Sequence, residues 1–498
     1  MTGIRLVELA QGTIRGLEEA GICSFRGIPY AAAPVGALRF AAPQSPPRVA
    51  VVDATSYGAT VSTPPQRSPE IDALLPDPVR PGDQPLNLNI WTPDVSARLP
   101  VLVWIHGGGF VTGAGSTEVF DGSAFARDGV VVVTINYRLA VEGFVALPGA
   151  VANRGLLDQV AALEWVRDHI AAFGGDPDLV TVAGESAGAM AVSTLLSMPR
   201  ARGLFRRAIA QSGAGHHVHS ADEAAFVAEL FAADLGVELS CDAVAAIPVD
   251  DLHQALNRVL GSATASEDPR GRRIRRLGVQ PVVDGDVLPA RPVEAIGAGA
   301  GADVDLLIGT NTDEYGLFVE ATGLAARLDE EMLAGLVGRL GDDVAALLPS
   351  YREDAPGASP ERLFRDVQAD WFFVVPMLRL LEARRAATGR THVYQLAWNP
   401  PTYGGRLGAC HTLEIPFVFD TLADPWGQDL RGVDAPQRLA DEMHRAWVSF
   451  VTTGDPGWPA YAPDLGVLRF DAGDGRASEV VLDPHARTRD RWAGLALQ

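Results

Sequence analysis

Leu179-Val180-Thr181-Val182-Ala183-Gly184-Glu185-Ser186-Ala187-Gly188 decides how this chain is read. Its first five residues form an apolar, β-rich run, the pattern of a strand buried on both faces. The residues after Gly188 predict a helix running to about Met198 and stopped by Pro199. A strand, a sharp turn and a helix in that order hold the Ser186 hydroxyl at the carboxyl edge of a sheet. Side chains at 184 and 188 would collide with neighbouring backbone in such a turn, so both positions are glycine. The helix N-terminus beside the hydroxyl favours developing negative charge.

The segments around this turn continue the alternation. Val101-Leu102-Val103-Trp104-Ile105 and Val130-Val131-Val132-Val133-Thr134-Ile135 read as two more doubly buried strands. Leu156, Val160, Leu163, Val166 and Ile170 recur at helical spacing, and Gly174-Gly175 closes that helix. An α/β fold follows, with a mostly parallel central sheet flanked by helices. The first forty residues read as an irregular N-terminal β-hairpin region. Seven prolines between Pro64 and Pro85 predict a long surface loop. Beyond Ser220 the chain is helical and Ala-rich, and strand signals return at Leu306-Leu307-Ile308 and Val393-Tyr394-Gln395-Leu396. The expectation is one domain over residues 1–498, with a large helical insertion at about 220–300 and 320–390.

Composition removes whole classes of function. The chain has 498 residues, 47% of them hydrophobic and 21% charged, as a core-forming protein requires. Its net charge of −21 argues against an electrostatic nucleic-acid binder. All 41 basic residues are arginine, which excludes Schiff-base, P-loop and kinase lysine chemistry. Three cysteines, at 23, 241 and 410, are too few for a Cys-based metal site. No apolar run reaches the roughly 18 residues of a membrane span. The N-terminal residues lack a secretory apolar core, so the expected location is cytoplasmic.

His106-Gly107-Gly108-Gly109-Phe110 directly follows the strand at Val101–Ile105. Consecutive glycines let successive backbone N–H groups converge on one point, and a tetrahedral oxyanion needs such donors together with the N–H of Ala187. A serine also needs a base, and the base needs a carboxylate to orient it. Thr312-Asp313-Glu314 lies just past the strand at Leu306–Ile308, and His411 sits in a later loop. The order Ser186, Glu314, His411 fits a catalytic triad, with Asp313 as the competing acid.

These motifs resemble the type-B carboxylesterases, an α/β-hydrolase family that includes the cholinesterases. The resemblance runs through Gly27-Ile28-Pro29-Tyr30, Asn136-Tyr137-Arg138-Leu139, Gly155-Leu156-Leu157-Asp158-Gln159 and Gln211-Ser212-Gly213. It continues at Pro281-Val282-Val283-Asp284-Gly285, Glu414-Ile415-Pro416-Phe417, Thr453-Gly454-Asp455-Pro456 and Trp458-Pro459. It implies an esterase acting on small-molecule esters without cofactor or metal, as a monomer or small homo-oligomer. Ser186 would be the nucleophile, His411 the base and Glu314 the acid. Gly108, Gly109 and Ala187 would hold the oxyanion, and Glu185 and Ser212 would support the histidine and acid. Phe110 and Phe373 are candidate pocket residues. The same triad could serve carbamate, amide or thioester bonds, and a non-catalytic binding role is the rival from another class. Relatives carry a loop disulfide in the segment aligned with residues 83–89, where this chain has Pro85 and no cysteine. The triple glycine is associated in the family with esters of tertiary alcohols. His411 is expected to titrate near its reference value, at about 6–7.

Other features read as inert. Gly297-Ala298-Gly299-Ala300-Gly301 precedes a strand rather than a helix, so it fails as a dinucleotide loop. His216, His217 and His219 read as surface histidines rather than a chelating set. Cys410 reads as a small loop residue, residues 270–276 as a solvated arginine-rich loop, and Trp371-Phe372-Phe373 as packing with Phe373 near the pocket.

Overall fold

The strands Leu99–Ile105 and Val131–Ile135 lie side by side in parallel near the centre of a 13-stranded sheet. The structure, a computed structural model, describes residues 3–64, 69–265, 268, 270, 277–473 and 476–495. Among the described residues, seven strands form the parallel part, in the spatial order Val131–Ile135, Leu99–Ile105, Gly175–Glu185, Arg207–Gln211, Asp305–Asn311, Thr391–Leu396 and Gly466–Phe470. The predicted N-terminal hairpin region is an antiparallel meander of Gly3–Leu9, Gly12–Glu19 and Ile22–Pro29. Asn87–Thr92 joins it, also antiparallel, to the parallel strands.

The strand pattern explains why helices cover both faces. Val101, Val103 and Ile105 pack on one side with Leu156, Leu163 and the helix that follows Ser186. Leu102 and Trp104 point to the other side, among Trp447, Phe450 and Phe419. Period-two alternation with both sets apolar leaves neither face able to meet water, so each must be covered. Helix Arg154–His169 covers the first face and helix Gln437–Thr453 the second. Gly174 ends the former segment in the left-handed region, at φ +81°.

Helices fill the predicted insertion. Ala221–Leu235 opens on a capping box between Ser220 and Glu223 and ends at Gly236. Val249–Ala265 packs against it. A later group, from Gly316 to Ala383, has its own apolar cluster around Leu363, Trp371 and Trp492.

Two expectations need correction. The Pro64–Pro85 stretch is not all loop: Pro69–Leu74 is a short helix. Its descent is fixed by Arg80, whose amide donates to Thr60 Oγ1 (3.0 Å) and whose Nη1 donates to Ser116 Oγ (3.0 Å). His217 and His219 are buried rather than on the surface. Burial brings His219 down to about 4, so it sits in the core as a neutral ring. Among the described residues no group of three or more His, Cys, Asp or Glu is placed to hold a metal ion. The arginine-rich stretch lies outside the described residues except for Arg270, which pairs with Asp268 and Glu229. No helix among the described residues is long and apolar enough to cross a membrane.

Candidate active site

Ser186 terminates the strand Gly175–Glu185 with φ +55° and ψ −124°, a conformation L-residues rarely adopt. The turn is held on both sides: Ser186 N–H donates to Gln211 O (2.9 Å), and Met190 N–H donates to Ser186 O (2.9 Å). The glycine requirement is steric, as the sequence implies. A Cβ at 188 would lie 2.0 Å from Ile105 O, and one at 184 would lie 2.6 Å from the Gly188 carbonyl carbon. The helix starts at Ala187, within the motif rather than after Gly188, and ends at Leu195, short of Met198.

His411 lies in the loop after Thr391–Leu396, between two carboxylates. Its Nδ1 is 2.7 Å from Glu314 Oε2, and its Nε2 is 3.2 Å from Glu185 Oε1. Glu314 is completely buried, and its other oxygen accepts from Asn311 N–H (2.8 Å). Asp313 points elsewhere, towards Arg362 (3.3 Å) and Arg365 (3.4 Å). Of the two neighbouring acids, Glu314 is the one in contact with the imidazole. Phe373 and Phe318 flank the imidazole, with ring centroids 4.7 Å and 5.6 Å away.

A third buried carboxylate stands behind the first two. Glu414 accepts from Asn311 Nδ2 (2.7 Å) and Gln211 Nε2 (3.2 Å), and Trp447 Nε1 fixes that glutamine (2.8 Å). In the sequence Glu414 stands out only within the motif Glu414-Ile415-Pro416-Phe417. Its signal was an acidic residue inside an otherwise apolar run three places after His411. Burial pushes both Glu185 and Glu414 above the usual carboxylate range. Burial also works against charge on His411, but Glu185, Glu314 and Glu414 outweigh it and hold the imidazolium up to about 9. The reference-value expectation of about 6–7 is thus corrected upwards, because three carboxylates surround one ring.

Gly107, Gly108 and Gly109 line the same cavity as Ser186 and His411, a space of about 350 Å³. Gly108 has φ +105° and Gly109 φ +61°. The loop is closed by Val111 and Thr112 N–H groups, both donating to Gly108 O at 3.0 Å. Ala187 opens a helix, so its N–H lacks an intrahelical acceptor. His106 is stacked on Tyr137 at 4.6 Å, and burial lowers it to about 4, so it enters as a neutral support of the loop.

The remaining candidates separate. Phe373 lines the cavity, whereas Phe110 is fully buried against Phe144, 4.8 Å between rings, and belongs to the core. Phe110 was misplaced because its position beside three glycines suggested the pocket, while its φ of +62° turns it inward. Ser212 is buried with φ +52°, and its N–H donates to Gly309 O (2.9 Å). Among the described residues its hydroxyl meets no hydrogen-bond partner. Cys410 is buried and its thiol is pushed up by burial, which makes it unreactive. The sequence did not show that Ile71 and Asp72 of the short helix, Leu75 just past its end, and Trp426 wall the cavity.

The carboxylesterase-family model matches residues 4–465. The para-nitrobenzyl esterase of Bacillus subtilis is 37% identical over 483 residues, covering 92% of each chain. The phenmedipham hydrolase of Pseudarthrobacter oxydans is 36% identical over 510 residues, covering 96% of this chain and 97% of its own. Among solved structures, a carboxylesterase of Geobacillus stearothermophilus superposes with a TM-score of 0.85 at 37% identity, covering 98% of this chain and 99% of that one. These relatives are esterases and hydrolases of the α/β-hydrolase fold, and the sheet described above is of that kind. The chain belongs to the carboxylesterase family and is a hydrolase of carboxylic esters.

Proposed function

We propose that Ser186, His411 and Glu314 form the catalytic triad. His411 Nε2 takes the Ser186 proton as Oγ attacks the ester carbonyl, and the backbone N–H groups of Gly108, Gly109 and Ala187 hold the oxyanion. Collapse expels the alcohol, protonated by His411. Water, deprotonated by His411, then attacks the acyl-Ser186 ester and releases the acid. Glu314 fixes the imidazole tautomer, and Glu185 adds negative charge near Nε2. Ser212, next to the Gln211 that pairs with Glu185 across the sheet, supports the histidine and acid. The observation that carries this reading is the 2.7 Å contact of buried Glu314 with His411, whose ring lines the same cavity as Ser186 and the glycine loop.

The enzyme acts as a single catalytic unit, since one sheet takes strands from both ends of the chain. It works as a monomer or small homo-oligomer in the cytoplasm, a location supported by three unpaired cysteines.

Initial rates on p-nitrophenyl esters from acetate to palmitate size the cavity, and stopped-flow traces test the covalent step. A burst of p-nitrophenol equal to the enzyme concentration, with acyl mass on the Ser186 peptide, is expected. Turnover without acyl mass on that peptide would contradict the assignment.

A further inference from the structure

We infer that Asp370 is a positioning residue through which the C-terminal helix sets the aromatic wall of the catalytic cavity, and so the size of ester accepted. The inference rests on the reading that the cavity holding Ser186 is the ester site.

The helical run from Pro360 to Ala383 is broken by one π turn, Asp370–Val374. Its hydrogen bond runs from Val375 N–H to Asp370 O. Single π turns are rare and concentrate at functional sites. Here the widened turn presents Phe372 and Phe373 to the cavity. Phe373 packs on His411 at 4.7 Å, and Phe372 packs on His217 at 4.5 Å and on Phe373 at 4.7 Å.

The residue that opens this turn is clamped from behind. Asp370 accepts from Tyr351 Oη (2.7 Å) and Thr488 Oγ1 (3.2 Å), and Arg491 Nη1 stands 3.7 Å away. Tyr351 is itself held by Trp492 Nε1 (2.8 Å), and the Arg491 guanidinium lies 3.8 Å over its ring. Arg491 continues to Ser350 Oγ (2.8 Å) and pairs with Asp354. Arg379, on the helix after the π turn, donates to Trp492 O (2.8 Å). Helix Ala486–Arg491 and the residues after it are therefore bonded to both flanks of the turn. Burial pushes the Asp370 carboxyl up to about 6, so keeping a carboxylate here is unfavourable unless its contacts are needed. Phe372 and Phe373 lie two and three residues past Asp370, so a turn relaxed by loss of the clamp would shift Phe373 on His411 and Phe372 on His217.

The test compares kcat/KM for p-nitrophenyl decanoate with that for the acetate in wild type, Asp370→Ala, Asp370→Asn, Thr488→Val, Phe373→Ala and Asp370→Ala/Phe373→Ala. Phe373→Ala should raise the decanoate-to-acetate ratio about tenfold, and Asp370→Ala should move it the same way by a large part of that. Asp370→Asn keeps an acceptor for Tyr351 and Thr488 and should stay near wild type. In the double variant Asp370→Ala should add nothing, because both act through one ring. If Asp370→Ala does not fold, Thr488→Val should still shift the ratio in the same direction. A uniform rate loss at an unchanged ratio in the folded variants, or additive effects in the double variant, would overturn the inference. Ser186→Ala assayed in parallel separates this failure from failure of the ester-site reading, since only the latter leaves that variant active.

Discussion

His411 Nε2 and Glu185 Oε1 stand 3.2 Å apart, on the side of the imidazole opposite Glu314. A ring between two buried carboxylates keeps its proton to higher pH than a free histidine. A protonated His411 cannot accept the Ser186 proton, so kcat/KM should rise with pH through the raised midpoint. The midpoint should lie above 6.5 and towards 9. Glu185→Gln removes the first of the charges that raise it and should move the midpoint down. A pH–rate profile of both proteins checks this, and a wild-type midpoint at or below 6.5 would refute it.

Glu314→Gln should lower kcat by about 10³–10⁴-fold, because an amide cannot hold the imidazole in the required tautomer and charge. Asp313→Asn should cost less than about tenfold, since Asp313 engages Arg362 and Arg365 rather than His411. Steady-state kinetics of the pair decides the matter, and reversed severities would assign the acid to Asp313.

Gly108→Ala should lower kcat by at least about 10²-fold, the loss typical of an oxyanion donor. Its Cβ would lie 2.2 Å from Thr112 O at a φ of +105°. Among the described residues, the Cβ of Gly109→Ala meets nothing nearer than Leu277 at 3.7 Å, although its φ of +61° is unfavourable. It should therefore be the milder change. Equal loss in the two variants would show that the loop does not act through the Gly108 backbone.

Esters of tertiary alcohols should be accepted. Positive φ at Gly108 and Gly109 lets the loop turn amides rather than a carbonyl towards the site, which leaves room for a branched leaving group. Hydrolysis of tert-butyl acetate, measured against n-butyl acetate with a Ser186→Ala control, tests this. Robust n-butyl turnover with no tertiary turnover would place the limiting wall outside the glycine loop.

The parts of the molecule that were legible in the sequence are those with short-range causes. Gly184 and Gly188 announced the turn at Ser186 because a Cβ there meets backbone within the same motif. Val101–Ile105 announced a doubly covered strand because both of its alternating faces are apolar. The sequence was silent where partners come from far along the chain. No local pattern separates the adjacent acids Asp313 and Glu314, because which one meets the imidazole depends on where His411 folds back, and only the family resemblance singles out Glu314. Phe110 reads as a pocket candidate, but its backbone turns it into the core. His217 and His219 carry polar rings whose burial depends on helices of the insertion. Glu414 and the Asp370 clamp depend on contacts made across 103 and 118 residues, which no window of sequence spans.

The most direct test of the account is kcat/KM of Ser186→Ala on p-nitrophenyl butyrate, with circular dichroism to establish that the variant is folded. The strained turn tolerates alanine no worse than serine, so folding should be retained while activity falls by about 10⁴-fold or more. A folded Ser186→Ala protein keeping a tenth of wild-type activity would contradict it.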